Sequence, residues 1–270
     1  MIKFLEPIVS ALWLHNHLKA DDLVILDGTI NKVIDTSQFQ IPNARLFDIK
    51  NKFSDTLAPF PSTCPSQEQF QKEARALGIY NDSAIVVYDD KGIYSSARVW
   101  WLFKAFGYEN VAVLNGGFPE WKKAGFATES MKLYSGKSGN FEANYKSGLF
   151  TFFNDVKKAS KSKSHAIIDV RTKNRFKSLE PEPRVGLRMG TIPSSINLPF
   201  EDVLVDGIMK SKSEMESILN RVVPKESDII FSCGSGITAC ILALGAQISG
   251  YKNISVYDGS WTEWGSLVPG

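Results

Sequence analysis

The run DIIFSCGSGITACILALGAQISG, residues Asp228–Gly250, joins a strand to a helix through a cysteine. Ile229–Ser232 is short, apolar and β-leaning, the pattern of a strand buried on both faces. Cys233 stands where that strand ends, followed by Gly234-Ser235-Gly236. From Ile237 to Ile248 the chain is apolar nearly all round, and Gly250 is suited to close a helix. A strand–cysteine–glycine-rich turn–helix unit aims backbone N–H groups and the positive end of a helix dipole at the sulfur, which favours thiolate over thiol. Glycine at two loop positions permits left-handed backbone or close approach without a steric penalty. Cys233 is therefore the candidate nucleophile. Cys240, inside the apolar helix, reads as a core residue, and Cys64, in a stretch rich in proline and serine, as a loop thiol.

Outward from this unit, the chain says the same thing twice. In the second half Ala166–Val170 is a strand, followed by the Ile-Pro stretch Ile192–Asn197, the Asp228–Ser232 strand, and the Asn253–Tyr257 strand. In the first half the counterparts are Leu23–Asp27, Ile41–Ala44, Ala84–Tyr88 and Val111–Leu114. The turn GGFPEW (Gly116–Trp121) is echoed by GSWTEW (Gly259–Trp264). Asp27 to Asp169 spans 142 positions, Asp89 to Cys233 spans 144, and Gly116 to Gly259 spans 143. A nearly constant offset over three anchors indicates a duplicated domain. Residues 1–130 form the first copy and 149–270 the second, with 131–148, rich in Ser, Gly, Lys and Asn, as linker. Alternating strands and helices predict two α/β domains, each a mostly parallel sheet flanked by helices. Ligands in such sheets sit beyond the carboxyl ends of the strands, where Cys233 lies in the second copy. Asp89 holds the matching place in the first, so only the second copy keeps a nucleophile.

The 270 residues carry a net charge of +2, with 43% hydrophobic and 22% charged residues. These globular values give no case for a nucleic-acid partner. The run KKASKSK at Lys157–Lys163 reads as a solvated helix end. Three cysteines without paired spacing argue against a disulfide framework and for a reducing, cytoplasmic setting. No run approaches the ~18 apolar residues of a membrane span, and the N-terminal stretch lacks the pattern of a signal peptide. No metal-ligand spacing is present. The glycine loop also lacks the Lys-Ser/Thr of a nucleotide-binding P-loop.

With these residues in view, the chain resembles the tandem-rhodanese sulfurtransferases over essentially its whole length. CGSGIT at Cys233–Thr238 is similar to the loop of the 3-mercaptopyruvate sulfurtransferases, and RF…PEPR (Arg175-Phe176, Pro181–Arg184) to the segment whose two arginines grip a 2-oxo acid. YSSARVWW at Tyr94–Trp101 and DGSWTEWG at Asp258–Gly265 match as well. The resemblance implies an enzyme that moves sulfur from 3-mercaptopyruvate to a thiol, cyanide or a thioredoxin-like dithiol acceptor. It would do so through a covalent persulfide on Cys233, with no cofactor beyond it. In that scheme Cys233 and Ser235 are catalytic, while Arg175, Arg184, Gly234, Gly236, Ile237 and Thr238 bind substrate. The loop carries no charge, whereas thiosulfate-using relatives typically have basic residues there.

Two positions depart from the family's pattern: Lys50 stands where several mercaptopyruvate enzymes have an acidic residue, and Ser62 where they have a histidine. His15, His17 and His165 lie elsewhere. Proton transfer through Ser235 and water, slow turnover, or another donor each remain open, as do a thiosulfate enzyme and a persulfide carrier with little turnover. Cysteine-loop phosphatases and arsenate reductases need an arginine to close the loop, and Thr238 stands in its place. Asp48, Asp55 and Arg98 resemble family positions near the face between the domains, where a structural polar network is an equal reading.

Overall fold

The computed structural model describes residues 1–269. The chain divides into two compact units, one of residues 1–56, 64–146 and 206–209, the other of 57–63, 147–205 and 210 onward.

The first unit is built on five strands: β1 (Ile8–Val9), β2 (Leu23–Asp27), β3 (Arg45–Leu46), β4 (Ala84–Tyr88) and β5 (Val111–Leu114). They lie in the order β1-β5-β4-β2-β3, and every ladder is parallel. Around them run α1 (Ala11–His17), α2 (Gln67–Ala76), α3 (Ser96–Ala105) and α4 (Gly117–Lys123). All five residues of β4 are buried, as a continuous apolar run in a parallel sheet should be. Residues 131–146 pack along this unit: Met131 and Phe141 are buried, and Gly139 and Phe141 donate N–H bonds to the carbonyls of Arg75 and Ile79. The polar composition of the segment conceals these two apolar anchors.

The second unit repeats the plan with β6 (Phe150–Thr151), β7 (Ala166–Asp169), β8 (Ile196–Asn197), β9 (Ile229–Ser232) and β10 (Ile254–Tyr257). The sheet runs β6-β10-β9-β7-β8, again all parallel and element for element the order of the first. Its helices are α5 (Phe153–Ser162), α6 (Lys173–Phe176), α7 (Lys212–Asn220), α8 (Ala239–Ile248) and α9 (Ser260–Leu267). The apolar α8 packs on β9, β10 and α7, and nine of its ten residues are buried. Trp261 and Trp264 of α9 join Ile167, Ile230 and Tyr257 in a core on the same sheet.

Register fixes the correspondence between copies. Asp27 pairs with Tyr88 across β2 and β4, and Asp169 with Ser232 across β7 and β9. The next residue along is Asp89 in one unit and Cys233 in the other.

Candidate active site

Cys233 follows β9 directly and is buried at 1% exposure. Gly236 takes φ +74°, the left-handed bend expected of a glycine there. Gly234 serves the other purpose: a Cβ on it would lie 3.1 Å from Nη2 of Arg175, so its missing side chain admits the guanidinium. Ile237 is buried in the core, and Thr238 is the N-cap of α8 without a capping bond from its side chain. Ser235 is half-buried.

Among the described residues, the backbone N–H groups of Gly234, Ser235, Ile237 and Thr238 have no protein acceptor. Four free donors at the start of a ten-residue helix form a cradle for an anion. Two other loop N–H groups are committed. Those of Cys233 and Gly236 both donate to Ser260 Oγ, at 3.1 Å each.

The first turn of α9 grips the loop at further points. Trp261 N–H donates to the Cys233 carbonyl at 3.0 Å, while Thr262 donates both its N–H (2.9 Å) and its hydroxyl (2.6 Å) to the Gly234 carbonyl. Arg184 Nη1 in turn donates to Thr262 Oγ1 at 3.0 Å. Both predicted arginines therefore reach Gly234, Arg175 directly and Arg184 through Thr262.

Behind Arg175 lies a buried ionic network. Glu182 accepts from Arg175 Nη2 at 2.5 Å and from Arg171 Nη1 at 2.6 Å. Arg171, fully buried, also holds Asp169 (Nη2 to Oδ2, 2.6 Å), and its guanidinium lies 4.6 Å from the Trp261 ring centroid. Burial works against that charge, but the bonds and Coulomb attraction of Asp169 and Glu182 hold the Arg171 guanidinium above its usual range. Two guanidinium groups face two carboxylates in this network. Exposed Arg184 has no carboxylate within ion-pair reach among the described residues, so its charge is available to a ligand.

The three histidines each have other partners. His15 stacks on Phe126, His17 on Trp13, and exposed His165 bonds to Ser164. Ser62 is buried with φ +60°, and Lys50 is exposed. Asp48 accepts from the Asn51 backbone and amide, and Arg98 is fully buried. Cys240 sits in the core, its thiol donating to the Gly236 carbonyl at 3.4 Å, and Cys64 is a half-buried loop thiol. Sequence reasoning missed Ser260, Thr262 and Arg171 as site residues. DGSWTEWG differs from its GGFPEW echo at Ser260, Trp261 and Thr262, but nothing in that difference shows that Ser260 and Thr262 bond to the cysteine loop.

Residues 10–124 and 153–267 each match the model of the rhodanese-like domain. The chain is 36% identical to the Arabidopsis thaliana thiosulfate/3-mercaptopyruvate sulfurtransferase 1, mitochondrial, over 96% of this chain and 76% of that one. It is 35% identical to human 3-mercaptopyruvate sulfurtransferase, over 96% and 92%. Among solved structures it superimposes with a TM-score of 0.84 and 31% identity on SseA from Escherichia coli, described as a 3-mercaptopyruvate sulfotransferase of rhodanese fold. That match covers 95% of this chain and 99% of the other.

Proposed function

Because the chain belongs to the rhodanese-like sulfurtransferase family, we propose that it takes sulfur from 3-mercaptopyruvate onto Cys233 and passes it to a thiol acceptor. The observation that carries this reading is the convergence of Arg175 and Arg184 on Gly234 beside an uncharged cysteine loop. Guanidinium groups recognise carboxylates by charge-assisted, planar hydrogen bonding. Arg175 already shares Glu182, so the unshared charge of Arg184 suits a donor with one negative charge, a 2-oxo acid, better than dianionic thiosulfate.

In the proposed reaction the Cys233 thiolate attacks the sulfur of 3-mercaptopyruvate. The carbon–sulfur bond breaks, its electron pair passes into the 2-oxo acid as pyruvate enolate, and protonation gives pyruvate. The four free N–H groups of the loop stabilise the sulfur anion and then the persulfide. In this reading the half-buried Ser235 hydroxyl and water carry the proton transfer. An acceptor thiolate, small or on a reduced protein dithiol, attacks the outer sulfur and returns Cys233 as thiolate. A reducing compartment such as the cytosol suits a chain whose three cysteines are all free thiols. No helix among the described residues is long and apolar enough to cross a membrane.

Steady-state pyruvate release from 3-mercaptopyruvate with a thiol acceptor, run beside thiosulfate with cyanide, tests the reading. Cys233→Ser is expected to be inactive and Arg184→Ala to raise KM for the 2-oxo acid about tenfold or more. Preference for thiosulfate would overturn the assignment of donor. Sulfur loading of Cys233 without turnover of either donor would make the protein a carrier instead.

A further inference from the structure

Ser260 stands in a backbone conformation that a side chain disfavours. Its φ is +50°, left-handed, although it carries a Cβ. The other copy shows what the fold does there when no chemistry is at stake. The equivalent residue is Gly117, with φ +53°. The match is fixed by one hydrogen bond: Phe118 N–H donates to the Asp89 carbonyl at 2.9 Å, as Trp261 N–H does to that of Cys233 at 3.0 Å. A Cβ on Gly117 would fall 2.4 Å from the carbonyl oxygens of both Asp89 and Gly92. The first copy uses the residue that takes this bend freely, and the second makes room for a strained serine.

That serine is fully buried and every capacity of its hydroxyl is engaged. Oγ accepts the N–H groups of Cys233 and Gly236 and lies 2.8 Å from the Tyr257 carbonyl and 3.8 Å from Cys233 Sγ. A hydroxyl has one proton, so it can donate to the carbonyl or to the sulfur, and negative charge on sulfur favours the second choice.

We propose that Ser260 is a positioning residue of the Cys233 loop. It draws two N–H groups out of the cradle and so orients the remaining four, and it turns its own proton toward the sulfur when the sulfur is charged. This rests on the reading of Cys233 as the nucleophile. Arg175 and Arg184 do not bond to the Ser260 hydroxyl, so its removal leaves substrate recognition in place.

Ser260→Gly, which the first copy shows to be compatible with the bend, separates the two roles of the residue. The variant relieves the strain but, like Ser260→Ala, orphans the N–H groups of Cys233 and Gly236, so it is expected to unfold above Ser260→Ala. Its kcat is expected to fall about 10- to 100-fold, with KM for 3-mercaptopyruvate changed less than about threefold. Iodoacetamide alkylation of Cys233, followed by mass spectrometry of its peptide, is expected to slow by a similar factor. Ser260→Ala orphans the same two N–H groups and keeps the strain, so the two variants should agree in kcat and alkylation rate while differing in stability. Wild-type kcat and alkylation rate in Ser260→Gly would overturn the proposal, as would a loss of activity only in proportion to lost stability. Alkylation needs no sulfur donor. If neither donor turned over in wild type, the functional reading would fail while the alkylation comparison still decided the role of Ser260.

Discussion

Glu182 holds two guanidinium groups on one carboxylate, Arg171 on Oε1 and Arg175 on Oε2. One of those arginines is fully buried and the other touches the cysteine loop, so the same side chain serves stability and recognition. Removing one partner of a buried pair leaves charge uncompensated, whereas the intact pair adds little net stability. Glu182→Gln is therefore expected to lower unfolding stability by about 2–4 kcal/mol in chemical denaturation. The released Arg175 is expected to raise KM for 3-mercaptopyruvate several-fold, with kcat less affected, in steady-state assays. At this scale the sequence was informative through local pattern: Cys233 from its strand and glycines, and Arg175 and Arg184 from the resemblance of RF…PEPR to the family's segment. Ser260, Thr262 and Arg171 were not legible, because their roles exist only once α9 and β7 are brought against the loop. Glu182 links Arg175 to Arg171 only once the strand end carrying Arg171 is folded against it.

Helix starts show the same principle one level up. The apolar pattern predicts helices from Tyr94 and Ile237, but α3 begins at Ser96 and α8 at Ala239. In the second unit the delay leaves loop N–H groups free for a ligand. In the first it serves Asp89, whose carboxylate accepts the N–H groups of Lys91, Tyr94 and Ser96 at 2.8–2.9 Å. Burial pushes the Asp89 carboxyl above its usual range, and these bonds pull the other way. Asp89→Ala would leave the buried Ser96 N–H and the part-buried N–H groups of Lys91 and Tyr94 without this acceptor, so its expected cost is about 2 kcal/mol by denaturant unfolding, with the sulfur chemistry of Cys233 retained. The long strands were legible as apolar runs. The two-residue strands β1, β3, β6 and β8 were not, since so short a ladder has no period to detect.

Over the whole molecule, the near-constant offset between repeats anticipated two sheets of one topology, and the strand orders agree element by element. What repetition could not reveal is how far the copies differ in chemistry. The first has glycine where the second has Ser260, and an aspartate where the second has its thiol. Restoring the thiol alone should therefore not restore the activity. In a Cys233→Ser background, Asp89→Cys is expected to leave pyruvate release at the level of the inactive parent. Measurable turnover from that double variant would show that a cysteine on this scaffold suffices. The packing of segment 131–146 was hidden for a related reason: composition reports averages, while the buried Met131 and Phe141 anchor an otherwise largely exposed strap.

The aspartate in the first loop gives the molecule an internal reference. Its amides at Lys91, Tyr94 and Ser96 are permanently bound to an anion that cannot leave. In the proposed reaction the amides of Gly234, Ser235, Ile237 and Thr238 meet theirs only when sulfur is charged or loaded. In an amide NMR spectrum recorded through a sulfur-loading cycle, the first set should stay fixed while the second moves, so one chain carries both the probe and its standard.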